Sequence, residues 1–292
     1  MKHTIETQAL TAVFCDNAAY GQHLAGYNGV SELSVRGLGG NIFVPPYCGM
    51  NYELTEFDGY AQDEECLFEP RRLPMEMMVA GPAGVTLYQP PTPQKGIEAR
   101  IDFHMSEHYI HQRIQITFHK QLLPVMNFKA LLASYFYVPQ NGLCYLHIDK
   151  TDPLGGWMGV RKKVHGAPDY FAHPLPAREL SVQEHLDIAR TAPESLLKFD
   201  TLQSYYYGLY GDFAVIMMFR DADRVAFISS PTGGGTEPAN SPAWDYVLLA
   251  PDAKLHTPYT WEVCMAIKPY AGRADILAEV ARYAASPRME SF

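Results

Sequence analysis

Apolar and alternating runs of four to ten residues recur along the chain, separated by clusters of Gly, Pro, Asn and Asp. This is the pattern of an antiparallel β protein, in which turn-forming residues punctuate short strands. It predicts strands at 10–15, 30–36, 41–44, 75–80, 84–89, 97–104, 109–119, 130–138, 143–149, 157–160, 205–210, 213–219, 224–229, 245–250 and 260–268. Helix signals are sparse. Ser181 with Glu184 forms a capping box ahead of Leu186, Ile188 and Ala189, and Pro193 stops that segment. A last helix is predicted from about Asp275 to Ala285, with Ile276, Leu277, Val280, Tyr283 and Ala284 on one stripe and Pro287 beyond its end. No strand-helix-strand repetition appears, which excludes a doubly wound nucleotide-binding fold. The expectation is an all-β, large antiparallel β-sandwich with one or two short helices, forming a single domain over residues 1–292.

The most distinctive run is Tyr109 to His119. Alternation places Tyr109, His111, Arg113, Gln115, Thr117 and His119 on one side, and Ile110, Gln112, Ile114, Ile116 and Phe118 on the other. A merely solvated face would lean on Lys, Glu and Thr. His, Arg, Gln and Tyr together supply planar donors, acceptors and aromatic surface suited to a polyhydroxylated ligand. Cross-strand ladders of polar side chains also exist for structural reasons alone, so both readings stand at this stage.

Length and charge narrow the classes. A chain of 292 residues buries a large core, and its formal charge of -9 leaves no basic footprint for nucleic acid or an anionic membrane. The amino terminus shows no charged start followed by an apolar run, and no stretch approaches the roughly 18 apolar residues of a membrane span. A soluble, cytoplasmic protein is expected. Its five cysteines are odd in number, scattered and free of any Cys-x-x-Cys pair, and are read as reduced, buried thiols. The sequence specifies no metal, cofactor or oligomeric state.

Several motifs need weighing. His104-Met-Ser-Glu-His108 matches the His-x-x-Glu-His zinc peptidase pattern, but flanking strands leave no room for the helix that would bring the imidazoles together. A hairpin turn near Met105 to Glu107 is predicted instead. Tyr145, His147 and Asp149 share a face of a second alternating segment. The following loop, 155–166, joins Trp157 to Arg161, Lys162, Lys163 and His165 between glycines, and loops at a sandwich rim are where sites tend to be built. Ser229 to Gly235 lacks the Gly-Lys-Ser/Thr ending and following helix of a phosphate loop.

In order, Phe43-Val-Pro-Pro-Tyr47, Phe57-Asp-Gly59, His108 to Phe118, Ala133-Ser-Tyr135, His165-Gly166, Tyr206-Tyr-Gly208, Ser230 to Gly235 and Pro242-Ala-Trp-Asp245 resemble an uncharacterised bacterial group with the galactose-mutarotase-like β-supersandwich. The resemblance spans most of residues 40–285 and implies a sugar or sugar acid held on a concave polar sheet face. It also implies acid-base chemistry by a His and a carboxylate, as in an epimerase or lyase. The Asn-His pair of mutarotases has no counterpart here. On this reading His111, His147 and His165 are the catalytic candidates. Tyr109, Arg113, Gln115, Trp157, Arg161, Lys163 and Tyr207 are expected to contact a small-molecule or oligosaccharide ligand. Arg161 and Lys163 would hold a carboxylate or oxyanion, Trp157 and Tyr207 would stack on the ring, and Asp149, Asp245 and Glu262 are the candidate carboxylates. A noncatalytic carbohydrate-binding protein is the competing class, and a subunit using its sandwich as a partner interface is a third.

Overall fold

The computed structural model describes residues 1–17, 26–137, 141–148, 156–163, 170–191, 193–197, 202–230 and 241–290. In chain order its strands are β1 (Lys2–Glu6), β2 (Leu10–Cys15), β3 (Gly29–Val35), β4 (Asn51–Phe57), β5 (Glu76–Val79), β6 (Gly84–Gln89), β7 (Ile97–Ser106), β8 (Tyr109–Phe118) and β9 (Phe128–Ala133). There follow β10 (Cys144–His147), β11 (Trp157–Arg161), β12 (Tyr170–Pro174), β13 (Ser195–Leu197), β14 (Tyr205–Tyr210), β15 (Phe213–Phe219), β16 (Val225–Ser230), β17 (Ala243–Ala250) and β18 (Tyr259–Pro269). The helices are α1 (Glu64–Leu67), α2 (Glu69–Arg72), α3 (Val182–Leu186), α4 (Ile188–Thr191) and α5 (Arg273–Ala285).

Among the described residues these strands form three antiparallel sheets. The largest runs β13-β12-β11-β10-β14-β15-β18-β8-β7-β6-β5, and two smaller ones, β16-β17-β9-β4 and β1-β2-β3, pack on its inner face. Alternation makes this possible. Ile110, Ile114, Ile116 and Phe118 of β8, Val263 and Met265 of β18, and Val215 and Met217 of β15 point inward against Phe14, Leu33, Phe128, Trp244, Tyr246 and Leu248. The polar exception on that side of β8, Gln112, is fully buried. It bridges the layers, donating to the Met50 carbonyl at 3.1 Å and accepting from the Tyr246 hydroxyl.

The outer face of the large sheet is covered in part by α3, α4 and α5, which bury Tyr145, Trp157, Tyr207, Ile216, Met218 and Ile276 in a second apolar cluster. The Ser181–Glu184 capping box is present. Helix α5 starts at Arg273, slightly before the expected Asp275, and buries Ile276 and Tyr283 of the expected stripe. The turn between β7 and β8 falls at Glu107, whose φ is 48°, so His104 and His108 sit on either side of a hairpin. There is no zinc-peptidase helix.

Other expectations needed correction. Among the described residues five helices are present rather than one or two, because α1 and α2 are single turns too short to show periodicity. Residues 41–44 form no strand; Ile42 and Phe43 are core plugs in a loop, with one bridge to Phe136. Strands β1, β4, β12 and β13 were not expected.

A buried polar network ties α2 to the small sheet. Arg71 Nη1 lies 2.9 Å from Glu53 Oε1, its Nε donates to the Gly26 carbonyl at 3.1 Å, and its guanidinium sits 3.8 Å over the Tyr27 ring. Glu53 also accepts from Tyr135 at 2.5 Å and from Asn51 at 3.2 Å. Each partner is over nine-tenths buried, so removing one leaves an uncompensated charge. Replacing Arg71 by Ala should therefore cost about 3–5 kcal/mol in urea denaturation, and the double variant E53L/R71M less than R71A. A second packing constraint lies where β14 meets β17. A Cβ on Gly208 would stand 2.0 Å from the Trp244 ring, so Gly208→Ala should lose roughly 1–3 kcal/mol by the same measurement.

Candidate functional site

The outer face of the large sheet is organised in rows that run across its strands. One row reads Thr86, Asp102, Arg113 and Glu262 in register, with Arg220 following the end of β15. Asp102, with no exposed surface, lies 3.0 Å from Arg100 and 3.5 Å from Arg113, and accepts from the Thr86 hydroxyl at 2.7 Å. Arg113 also donates to Gln115 at 3.2 Å. Buried Glu262 pairs with Arg220 at 3.0 Å and with Arg288 at 3.6 Å. Alternating charge satisfies each group that burial would otherwise penalise.

The adjacent row reads His104, His111, Cys264, Met218 and Tyr205, which the sheet register continues to His147 and Trp157. At one end of it, His104, His111, Glu262, Arg220 and Tyr283 surround a cavity of about 240 Å³, roofed by the segment after α5 that carries Pro287 and Met289. The two imidazole rings lie 6.4 Å apart, and Tyr283 lies 6.3 Å from His111. Burial first, then the nearby His104 and Arg220, holds the His111 pKa down at about 4, so this ring is neutral and able to accept a proton at neutral pH.

Arg220 also fixes the roof. Its guanidinium donates to the carbonyls of Tyr283, Ala284 and Ser286 at 2.9–3.0 Å, satisfying the last carbonyls of α5. Tyr109, at the start of β8, donates to Glu279 of α5 at 2.9 Å and accepts from Arg282. Lys268 reaches Glu279 at 3.2 Å. Burial alone would raise the Glu279 carboxyl, but these partners hold it below its ordinary value. The second half of the helix is thus clamped over the polar face.

The expected site residues fall into separate groups. Of the β8 face, His111 reaches the cavity, Tyr109 is tied to α5, and Arg113 and Gln115 belong to the charged row. His147 stands on the same row as His111 but four strand spacings away, roughly 19 Å, with its ring 5.1 Å from Trp157. Trp157 and Tyr207 are not sugar platforms. Trp157 is 2% exposed under Arg273, and Tyr207 is fully buried, stacked on Tyr145 and bonded to His185 at 2.9 Å. Arg161 and Lys163 both pair with Glu194, which also lies 3.3 Å from His173. Asp245 is buried on the small sheet, accepts the Ser134 backbone N–H at 3.1 Å, and is pushed well above its ordinary pKa by burial and by Glu53. His165 and Asp149 lie outside the described residues, as does most of the Ser230 to Gly235 segment.

Sequence reasoning missed His104, Arg220 and Tyr283. The signal for His104 was available, since alternation through 97–104 puts it beside His111 once the hairpin is closed. Arg220 and Tyr283 come from elements whose spatial neighbours no local pattern reveals. Among the described residues no group of three or more His, Cys, Asp or Glu stands close enough to hold a metal ion, and no helix is long and apolar enough to cross a membrane.

No family model matches the chain, and no curated protein matches it. Solved structures do. A galactose mutarotase-like protein from Lactobacillus casei is 9% identical, with 92% of this chain and 100% of that one covered at a TM-score of 0.53. Galactose 1-epimerase from Lactobacillus acidophilus is 10% identical, with 92% and 94% covered and a TM-score of 0.51. A galactose mutarotase-like protein from Clostridium acetobutylicum is 7% identical, with 91% and 95% covered and a TM-score of 0.50. At such identities the likeness speaks to architecture, and with the sheet order and layering described above it establishes that this chain has the galactose-mutarotase-like β-sandwich fold.

Proposed function

We propose that the cavity between the outer face of the large sheet and α5 binds a single sugar ring and that His111 acts there as a general base. The observation that supports this reading is the convergence of two imidazoles with the Glu262–Arg220 pair around one cavity. At about 240 Å³ the space is smaller than the roughly 300–1,000 Å³ of sites for drug-sized ligands, which favours a monosaccharide over an oligosaccharide. The fold is also that of proteins named galactose 1-epimerase and galactose mutarotase-like.

Interconverting the anomers of an aldose requires removal of the proton from the anomeric hydroxyl and delivery of one to the ring oxygen. The ring then opens to the aldehyde and recloses on the other face. Neutral His111 accepts the first proton. His104, in register beside it with the two rings 6.4 Å apart, is our assignment for the group that supplies the second. Glu262 accepts from a sugar hydroxyl, Arg220 holds that carboxylate in place, and Tyr283 provides an aromatic wall.

A noncatalytic role has its own support: Arg220 is already engaged with α5 and with Glu262, as it would be in a purely structural clasp. Exchange between the α and β anomers of galactose, followed by NMR, separates the two readings. For an epimerase, His111→Gln should slow exchange by roughly 100- to 10,000-fold while changing sugar affinity little. Equal loss of both, or no exchange in the unaltered protein, would favour simple binding.

The pH profile carries a further expectation. A base works only while deprotonated, so activity dependent on His111 should persist below the ordinary imidazole value of 6.5 and fall along an acid limb centred near 4. A limb centred near 6.5 in the rate profile would exclude His111 as the base.

A further inference from the structure

The five cysteines are far apart in sequence, yet two of them meet. Cys15 Sγ lies 3.4 Å from Cys48 Sγ, though the two stand 33 positions apart in the chain. Cys15 ends β2, and Cys48 sits in the loop between β3 and β4 that also carries Tyr47. Both are described as free thiols, 7% and 1% exposed. A disulfide sulfur pair stands about 2.05 Å apart, so bonding requires the two sulfurs to close by little more than an ångström. Cys15 is the last residue of β2 and Cys48 lies in a loop, so the approach is asked of side-chain rotation and of small shifts at these two points.

We propose that Cys15 and Cys48 are a reversible modification site, a dithiol that a peroxide converts to a disulfide in the folded protein. The chemistry divides between unequal partners. Cys15 is the attacking sulfur: contacts with Cys48 and Ser31 and the charge of Lys2 favour its thiolate, against the effect of burial. Its sulfur bonds to one peroxide oxygen as the O–O bond breaks, giving a sulfenic acid and, after proton uptake, water. Cys48, held against it, then attacks the sulfenic sulfur. The S–S bond forms, the S–O bond breaks, and the leaving hydroxide takes the Cys48 proton to depart as a second water. Two thiols are oxidised and one peroxide is reduced.

The link would staple the three-stranded sheet to the four-stranded one. Gly49, next to Cys48, already pairs with Val30 of β3, and Tyr47 packs edge-on at 5.1 Å against Tyr27. The bond would therefore fix the wall of the Glu53–Arg71–Tyr135 network described above, on the opposite side of the molecule's core from the His111 cavity. It is independent of the proposed sugar chemistry.

The test is treatment of the native protein with hydrogen peroxide, followed by unfolding, alkylation and non-reducing peptide mapping. The expected product joins the Cys15 and Cys48 peptides, is reversed by dithiothreitol, and leaves Cys66, Cys144 and Cys264 alkylated. Oxidation should raise the melting temperature of the unaltered protein but not of Cys15→Ser. In Cys48→Ser, a sulfenic acid trapped by dimedone should appear at Cys15. Free Cys15 and Cys48 after treatment, or scrambled pairings that draw in the other three cysteines, would overturn the proposal.

Discussion

A row of alternating charge across the large sheet is the constraint on which the outer architecture rests. Asp102, Arg113 and Glu262 sit in successive strands, and Arg220, just past the end of β15, completes the row beside α5. Burying any one of them alone would cost several kcal/mol, so the row is stable only as a set. Its last member does two things at once. Arg220 neutralises Glu262 and gathers the terminal carbonyls of α5, so the electrostatics of the sheet decide where the helix ends and where the roof of the cavity lies.

That arrangement explains why the polar face is not an open groove. Tyr109, Lys268, Glu279 and Arg282 anchor the helix, while α3 and α4 close over Tyr145, Trp157 and Tyr207. What is left is a single-ring-sized space beside two imidazoles. The desolvation that lowers the His111 pKa comes from the same cover that bounds this space. The far side of the core follows a similar rule, with Glu53 and Arg71 stable inside because each satisfies the other.

Alternation alone made the sheet faces legible. The strict pattern of β8 identified His111, and the burial of Ile110, Ile114, Ile116 and Phe118 follows that pattern residue by residue. It could not say which strands become neighbours. His147 and His111 share a face, yet β18, β15 and β14 stand between them, and only strand order fixes that separation. Trp157 and Tyr207 looked like stacking platforms because their composition suits one. Two short helices, α3 and α4, and the longer α5 cover that part of the sheet, and a helix packed from elsewhere in the chain leaves no mark on the sequence it covers. Arg220 was invisible for the same reason: its role is set by the carbonyls of residues more than sixty positions away.

The central claim is that a sugar enters the space bounded by His104 and His111. Its most direct measurement is side-chain NMR of the eleven histidines during titration with galactose. The account predicts that the imidazole signals of His104 and His111 move together and saturably, while those of His119 and His256 stay in place. Saturable shifts confined to His147 and His173, or none at all at high sugar concentration, would contradict it.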